Sequence, residues 1–263
     1  MNAQPFVTVF TITFNQEERI RKTLEGLFAQ DYPKDRYAIV VLDDGSTDGT
    51  GEALKKLAAT APVPLRIVSC THDADYLNAR RWNAAIAAAD ERTGVFIQVD
   101  DVELRPDFIR QHIKWHTGAA DHLVTGSKFE ADETTWDLAT CQRGHLANKD
   151  GSGRIVDEYT AIWGASMSFT KKLIEKIYAP PYDLPYDERM NGWGYHEVEF
   201  AYRMQQAGAA IVYDPAAGVF HKNHVQKQEL QRGMDREEIV SKDSLKNERY
   251  LLQKHGLEAL PRW

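Results

Sequence analysis

Acid, glycine and tryptophan meet in the run Gly192-Trp193-Gly194-Tyr195-His196-Glu197-Val198-Glu199-Phe200, and an imidazole follows in Val219-Phe220-His221. An aspartate pair, Asp100-Asp101, stands upstream. A carboxylate able to take a proton, with two further acids and an imidazole, is the equipment of a general base beside a three-part metal site. Glu197 is the candidate base. It falls in the first turn of a predicted helix, where free amides and the positive end of the helix dipole favour negative charge. Glu199 is its rival, but points about 200° around the helix, so the two cannot both face one cleft.

These groups need a frame. Phe6 to Thr13 (FVTVFTIT) is β-branched and aromatic enough for a buried strand, and Glu17 to Ala29 sets Ile20, Leu24, Leu27 and Phe28 on one helical face. Tyr37 to Leu42 is a second apolar run, ending in the turn Asp43-Asp44-Gly45-Ser46, whose hydroxyl and acid groups suit a helix start. Leu65 to Ser69 and Val95 to Val99 repeat the pattern around a predicted helix from Tyr76 to Ala89. Alternating strands and helices predict an α/β fold, a mostly parallel sheet covered on both faces. Ligands bind such sheets at the carboxyl ends of the strands, where Asp43, Asp44, Asp100 and Asp101 fall. Glu237 to Lys254 reads as an amphipathic helix with Ile239, Val240, Leu251 and Leu252 as its apolar content. His112 and His116 have the spacing of a helical zinc pair but lack the glutamate of a metalloprotease, so a solvated helix face is expected for them.

Composition narrows the classes. With 263 residues the chain can bury one sizeable core, and a net charge of -7 argues against nucleic acid as the partner. Cys70 and Cys141 match no redox or metal spacing, so both are expected to be reduced thiols of a cytoplasmic protein. The opening MNAQPFVTVF lacks a basic leader region, and no apolar run approaches the ~20 residues that span a bilayer. The chain is expected to be soluble, or peripheral at most.

Four stretches in order, VTVFTITFNQEERIRKTLEGLFAQDYP, IVVLDDGSTDGT, Asn83-Ala84-Ala85-Ile86 and the acid pair, resemble the family-two glycosyltransferases. The resemblance covers about residues 6–225 and implies the GT-A fold, a Rossmann-like sheet flanked by helices. It implies one catalytic domain over 1–225, with 1–103 as the nucleotide-binding half and 104–225 as the acceptor half. The remainder, 226–263, becomes a helical extension that closes over the donor as a lid or packs in a homodimer. By the same resemblance Thr13, Asn15 and Asp44 hold nucleobase and ribose, with Asp44 accepting from a uracil N–H. The family's Asp-x-Asp register reads Gln98-Val99-Asp100-Asp101 here, so Gln98 replaces the first acid. GWGYHEVEFAYRMQQAGAAIVYDPAAGVFHKNH is similar to the carboxyl-terminal motif of galactosyl- and GalNAc-transferases, with His196 and Glu197 at its two acid positions. That likeness implies His221 as a metal ligand beside Asp100 and Asp101, and puts Trp193, Gly194 and Asp100 at the donor. It implies Ile162 to Phe169 as the strand bordering the acceptor cleft.

The reaction expected is inverting transfer of a hexose or N-acetylhexosamine from a UDP-sugar to a hydroxyl, with Mn²⁺ or Mg²⁺ against the diphosphate. Galactose and N-acetylgalactosamine lead, glucose and N-acetylglucosamine follow. A glycan, a lipid-linked sugar or a small metabolite can each present that hydroxyl. A sugar-phosphate nucleotidyltransferase stands as an alternative, although Thr13-Phe14-Asn15-Gln16-Glu17 is no basic phosphate loop; a non-catalytic sugar-nucleotide or glycan-binding module is the other. Arg80 and Arg81 are divided between reaching the diphosphate and lying on a helix surface, and His224 is a weak candidate for supporting the metal site.

Overall fold

A computed structural model of the chain describes residues 4–73, 78–130, 141, 143–178, 184–221 and 236–261. The alternation expected from the sequence is present: β1 (Val7–Thr13), α1 (Glu17–Phe28), β2 (Tyr37–Asp43), α2 (Thr50–Thr60), β3 (Leu65–Ser69), α3 (Asn78–Ala87) and β4 (Val95–Val99). Then follow α4 (Phe108–Ile113), β5 (His122–Glu130), β6 (Arg154–Ile155), β7 (Ser166–Thr170), α5 (Lys171–Ile177), α6 (His196–Gln206), β8 (Ala210–His221) and α7 (Arg236–His255). The sheet runs β3-β2-β1-β4-β7-β5-β8-β6. β1 pairs parallel with β2 and β4, β2 with β3, and β5 with β8. β7 enters antiparallel between β4 and β5, and β6 antiparallel to β8.

Each central strand is apolar on both sides because both faces are covered. Val9, Ile39, Val41 and Ile97 face one core with Ile20, Leu24, Leu27, Phe108 and Ile113. Phe10, Val40, Leu42 and Phe96 face the other, with Trp82, Ile86, Leu173, Ile174, Phe200 and Met204. Period-2 strands between period-3.6 helical stripes therefore fix α1 and α4 on one face and α3, α5 and α6 on the other. Phe169 meets Phe200 edge-on at 4.9 Å, and Phe200 stacks on Tyr186 at 4.6 Å with 19° between planes. That aromatic ladder anchors α6 to the sheet.

Three expectations change. The segment 162–169 forms a strand only from Ser166, because Trp163 and Gly164 turn out into the cleft described below. His112 and His116 are not on a solvated face. His112 is fully buried on the same side of α4 as Phe108, Ile109 and Ile113. Ser166 Oγ donates to Ala217 O at 2.6 Å and so accepts from His112 Nε2 at 3.1 Å; His112 Nδ1 lies 2.8 Å from Ser168 Oγ, as does His116 Nε2. Burial first, and their mutual repulsion for His112, push both imidazoles down to about 3, so both are neutral, His112 in the core and His116 half-buried beside it. Arg81 is likewise buried rather than on a helix surface, paired with Asp44.

The boundary expected at residue 225 and His224 both lie outside the described residues. α7 itself packs on the Gly-Trp-Gly segment: Asn247 Nδ2 donates to the carbonyls of Asn191, Trp193 and Gly194 at 3.1, 3.3 and 2.9 Å, and Asp243 Oδ2 accepts from Trp193 N at 3.1 Å. Gly192, at φ +80°, is required twice over, since a Cβ there would stand 2.5 Å from the Asp243 carboxylate. Among the described residues, no helix is long and apolar enough to cross a membrane.

Candidate active site

β1 and β4 are the neighbours between which the strand order reverses, and a cleft of about 660 Å³ opens past their carboxyl ends. All nine candidate residues line it: Thr13, Asn15, Asp44, Asp100, Asp101, Trp193, Gly194, Glu197 and His221. Glu199 does not. It points the other way, fully buried, with Arg203 Nε at 2.9 Å, Lys254 Nζ at 2.5 Å and His255 Nε2 at 3.1 Å. Burial pushes its pKa up, but the His255 hydrogen bond, Arg203 and Lys254 outweigh that and hold it at about 2.

On the β1–β2 side, Asn15 adopts φ 52° and its side chain acts as a staple. Asn15 Oδ1 accepts from Thr47 N at 2.7 Å and Asp48 N at 3.2 Å, and Asn15 N donates to Ser46 Oγ at 2.9 Å. Asn15 thus shapes the turn after β2 as well as bordering the cleft. Asp44 is held from three sides, by Arg81, by His72 Nδ1 at 2.9 Å and by Cys70 Sγ at 3.3 Å. His72 in turn stacks on Phe14, 3.9 Å between centroids. A carboxylate carries about four acceptor positions, so Asp44 keeps capacity for another donor.

The acid side is assembled by a long-range bridge. Glu103 N donates to Phe220 O at 2.9 Å and Phe220 N to Glu103 O at 3.0 Å, which draws the end of β8 beside the segment leaving β4. His221 Nε2 consequently stands 3.7 Å from Asp101 Oδ1. Arg19, from the first turn of α1, holds the other Asp101 oxygen at 2.5 Å. Among the described residues no three acid, thiol or imidazole groups are drawn tightly enough together to grip a metal outright. The expected three-ligand cluster is therefore not preassembled, and the Arg19 guanidinium is the visible competitor for Asp101. Desolvation, then the neighbouring Asp101 and Glu197 charges, push Asp100 up to about 8 against the pull of Lys128.

Several cleft features escaped the sequence reading. Arg19 carries no motif signal beyond its place in a helix first turn. Lys128 lies 4.9 Å from the Trp163 ring centroid, Arg143 approaches the same ring at 5.1 Å, and both Lys128 and Trp163 line the cleft. Gln98, read as a lost metal ligand, is fully buried and bonds Glu197, Gly164 and Tyr186.

A mixed sheet with an acid-rimmed cleft at its switch point defines the class, a nucleotide-diphospho-sugar transferase fold of GT-A type. The model of glycosyl transferase family 2 matches residues 8–178, and the chain belongs to that family. A Methanococcus voltae protein named dolichyl N-acetyl-α-D-glucosaminyl phosphate 3-β-D-2,3-diacetamido-2,3-dideoxy-β-D-glucuronosyltransferase is 46% identical over 52 residues, 20% of this chain and 16% of that protein. The mannosyltransferase PcManGT from Pyrobaculum calidifontis, solved with GDP-Man and Mn²⁺, superposes with a TM-score of 0.66 at 21% identity, over 88% of this chain and 61% of its own. GalNAc-T7, solved with UDP, GalNAc and Mn²⁺, gives 0.67 at 14% identity, over 96% of this chain and 48% of its own. The chain thus spans less than two thirds of each of these proteins.

Proposed function

We propose that this chain is an inverting, metal-dependent transferase moving a hexose or N-acetylhexosamine, of the galactose type first, from a UDP-sugar to an acceptor hydroxyl. The observation that carries the reading is that Glu197, the acids Asp100 and Asp101 and the imidazole of His221 border the same cleft as Thr13, Asn15 and Asp44. Nucleoside diphosphate chemistry needs groups for the base and groups to hold a charge-neutralising cation, and the residues bordering this cleft are of the types suited to both.

Thr13, Asn15 and Asp44 take the nucleoside, Asp44 accepting from uracil while Arg81 fixes its carboxylate. Trp193 and Gly194 flank the sugar. Glu197 takes the proton of the acceptor hydroxyl as that oxygen bonds to the anomeric carbon; the bond from that carbon to the phosphate oxygen breaks, and its electron pair leaves with UDP. One displacement at one carbon inverts it, whereas a covalent glycosyl-enzyme would retain. The donor chemistry suits Mn²⁺, with Mg²⁺ second: two aspartate carboxyl groups and one imidazole border the same cleft. Bound there, such an ion would stabilise charge on the departing diphosphate. The solved neighbours, with Mn²⁺ beside UDP or GDP-Man, support the metal and divide the choice of base.

The acceptor is a glycan, a lipid-linked sugar or a small molecule, and the setting cytoplasmic, with peripheral membrane contact or a homodimer compatible. The catalytic unit is taken to run to residue 225, and the docking of α7 on Gly192–Gly194 favours a fixed clamp over a lid. The test is a panel of UDP-, GDP- and dTDP-sugars scored by thermal stabilisation and slow hydrolysis, with and without Mn²⁺. UDP-sugars in the presence of Mn²⁺ are expected to win; equal response to all three nucleotides, or to none, overturns the reading.

A further inference from the structure

Gln98 stands where the family's first motif acid would stand, yet its side chain is fully buried and does not line the cleft. It cannot reach a cation there. Its amide is instead committed on every side. Nε2 donates to Gly164 O at 3.1 Å, and the second N–H faces Glu197 Oε1 at 3.4 Å. The Tyr186 hydroxyl meets Oε1 at 2.5 Å. Chemistry fixes which end of the amide is which: Gly164 O can only accept, so the group facing it must be the NH₂, and the oxygen must face Tyr186, whose hydroxyl then donates.

Tyr186 is itself immobilised. Asn83, on α3, pairs with its backbone twice, Nδ2 donating to Tyr186 O at 2.9 Å and Oδ1 accepting from Tyr186 N at 2.8 Å. The ring stacks on Phe200 of α6, one turn from Glu197. On its other flank Glu197 lies against Gly164, where a Cβ would stand 2.5 Å from Glu197 Oε1 and 3.0 Å from Gln98 Nε2. Only a glycine leaves room for the carboxylate.

We propose that Gln98 is the positioning residue for Glu197: the Asn83–Tyr186–Gln98 relay turns an amide N–H onto the carboxylate and sets its rotamer toward the cleft. The proposal rests on the assignment of Glu197 as base. An uncharged amide does this at a position where a second acid would press a like charge against Glu197 and Asp100. Exchanging a ligand for an aiming device is the consequence of that single substitution.

Tyr186→Phe tests it with least disturbance, since the ring stack stays and only the donor that orients the amide is lost. Gln98→Leu and Gly164→Ala follow, with Glu197→Gln alone and combined with Tyr186→Phe. Each full-length variant is assayed for UDP affinity by calorimetry with Mn²⁺ and for UDP release from UDP-N-acetylgalactosamine, and Tyr186→Phe is crystallised. Misplacing a base by about 1 Å costs on the order of 100-fold in rate. Tyr186→Phe and Gln98→Leu are therefore expected to lower kcat about 10- to 100-fold with UDP affinity and KM within about twofold of wild type. Tyr186→Phe is expected to add nothing in the Glu197→Gln background, and its crystal structure to show the Glu197 carboxylate turned. An unmoved carboxylate, unchanged kcat, or a loss that multiplies with Glu197→Gln overturns the positioning role. Unimpaired turnover in Glu197→Gln itself fails the base assignment instead, so the two failures are told apart.

Discussion

Replacing Asn247 by aspartate keeps its volume but removes the two N–H donors that it offers the Gly-Trp-Gly segment and puts an acceptor in their place. Asn247 is 1% exposed, and its two N–H groups serve the carbonyls of Asn191, Trp193 and Gly194. Two of these bonds are short, at 2.9 and 3.1 Å, and the third, at 3.3 Å, shares a hydrogen. Leaving a buried acceptor unsatisfied costs about 1–3 kcal/mol, so Asn247→Asp should lose about 2–4 kcal/mol at pH 7.5. For a domain of this size that is a fall in Tm of about 5–15 °C. The introduced carboxyl sits among carbonyl oxygens, which raises its pKa above the ordinary aspartate value. The folded variant then binds more protons than the unfolded one, so its deficit must shrink as pH falls toward 5, when the protonated group regains one donor. Calorimetric scans at pH 7.5 and 5.5 against wild type measure both effects, and UDP titration should weaken in parallel because the segment carries Trp193 into the cleft. A Tm within about 1 °C of wild type, or a deficit that grows on acidification, refutes the view that α7 holds this segment through Asn247.

Stability should fall with pH on the acid side of neutrality through His112. Its imidazole is about 3 in the fold and ordinary in the unfolded chain, so the unfolded state takes up the proton first; the stabilisation is whole above about 6.5 and is lost between there and about 3. The slope from this one group approaches about 1.4 kcal/mol per pH unit, and His112→Gln is expected to flatten it in urea melts from pH 7 to 4.5. Asp100→Ala and His221→Ala should abolish the rise in Tm that Mn²⁺ gives with UDP; an undiminished rise would remove both from the metal wall. Lys254→Ala leaves Glu199 partly unpaired inside the protein, and a loss of about 3 kcal/mol is expected in urea unfolding, with turnover of the remaining folded enzyme near normal.

The frame of the fold was readable because it rests on local periodicity. The apolar runs of Val7–Thr13 and Tyr37–Asp43 and the stripe of Ile20, Leu24 and Leu27 are each set by neighbours in sequence, and strand ends then locate the acids. His112 shares the apolar stripe of Phe108, Ile109 and Ile113, a local signal of burial that the four-residue histidine spacing does not itself carry. What the sequence does not carry is tertiary pairing. The approach of His221 to Asp101 depends on the Glu103–Phe220 bridge, the Arg19–Asp101 pair joins α1 to the end of β4, and Gln98 gains its role only when Tyr186 and Gly164 close around it. Each links residues distant in sequence, where no local pattern distinguishes a buried amide from a missing ligand.

Which carboxylate takes the acceptor's proton is measured most directly by comparing transfer rates of Glu197→Gln and Glu199→Gln, each normalised to its folded, UDP-binding fraction. General-base loss costs about 100- to 10,000-fold, so Glu197→Gln should bind UDP as wild type does and fall in kcat by at least about 100-fold, while folded Glu199→Gln transfers near normally. Near-normal transfer by Glu197→Gln, with transfer abolished in folded Glu199→Gln, would contradict the account.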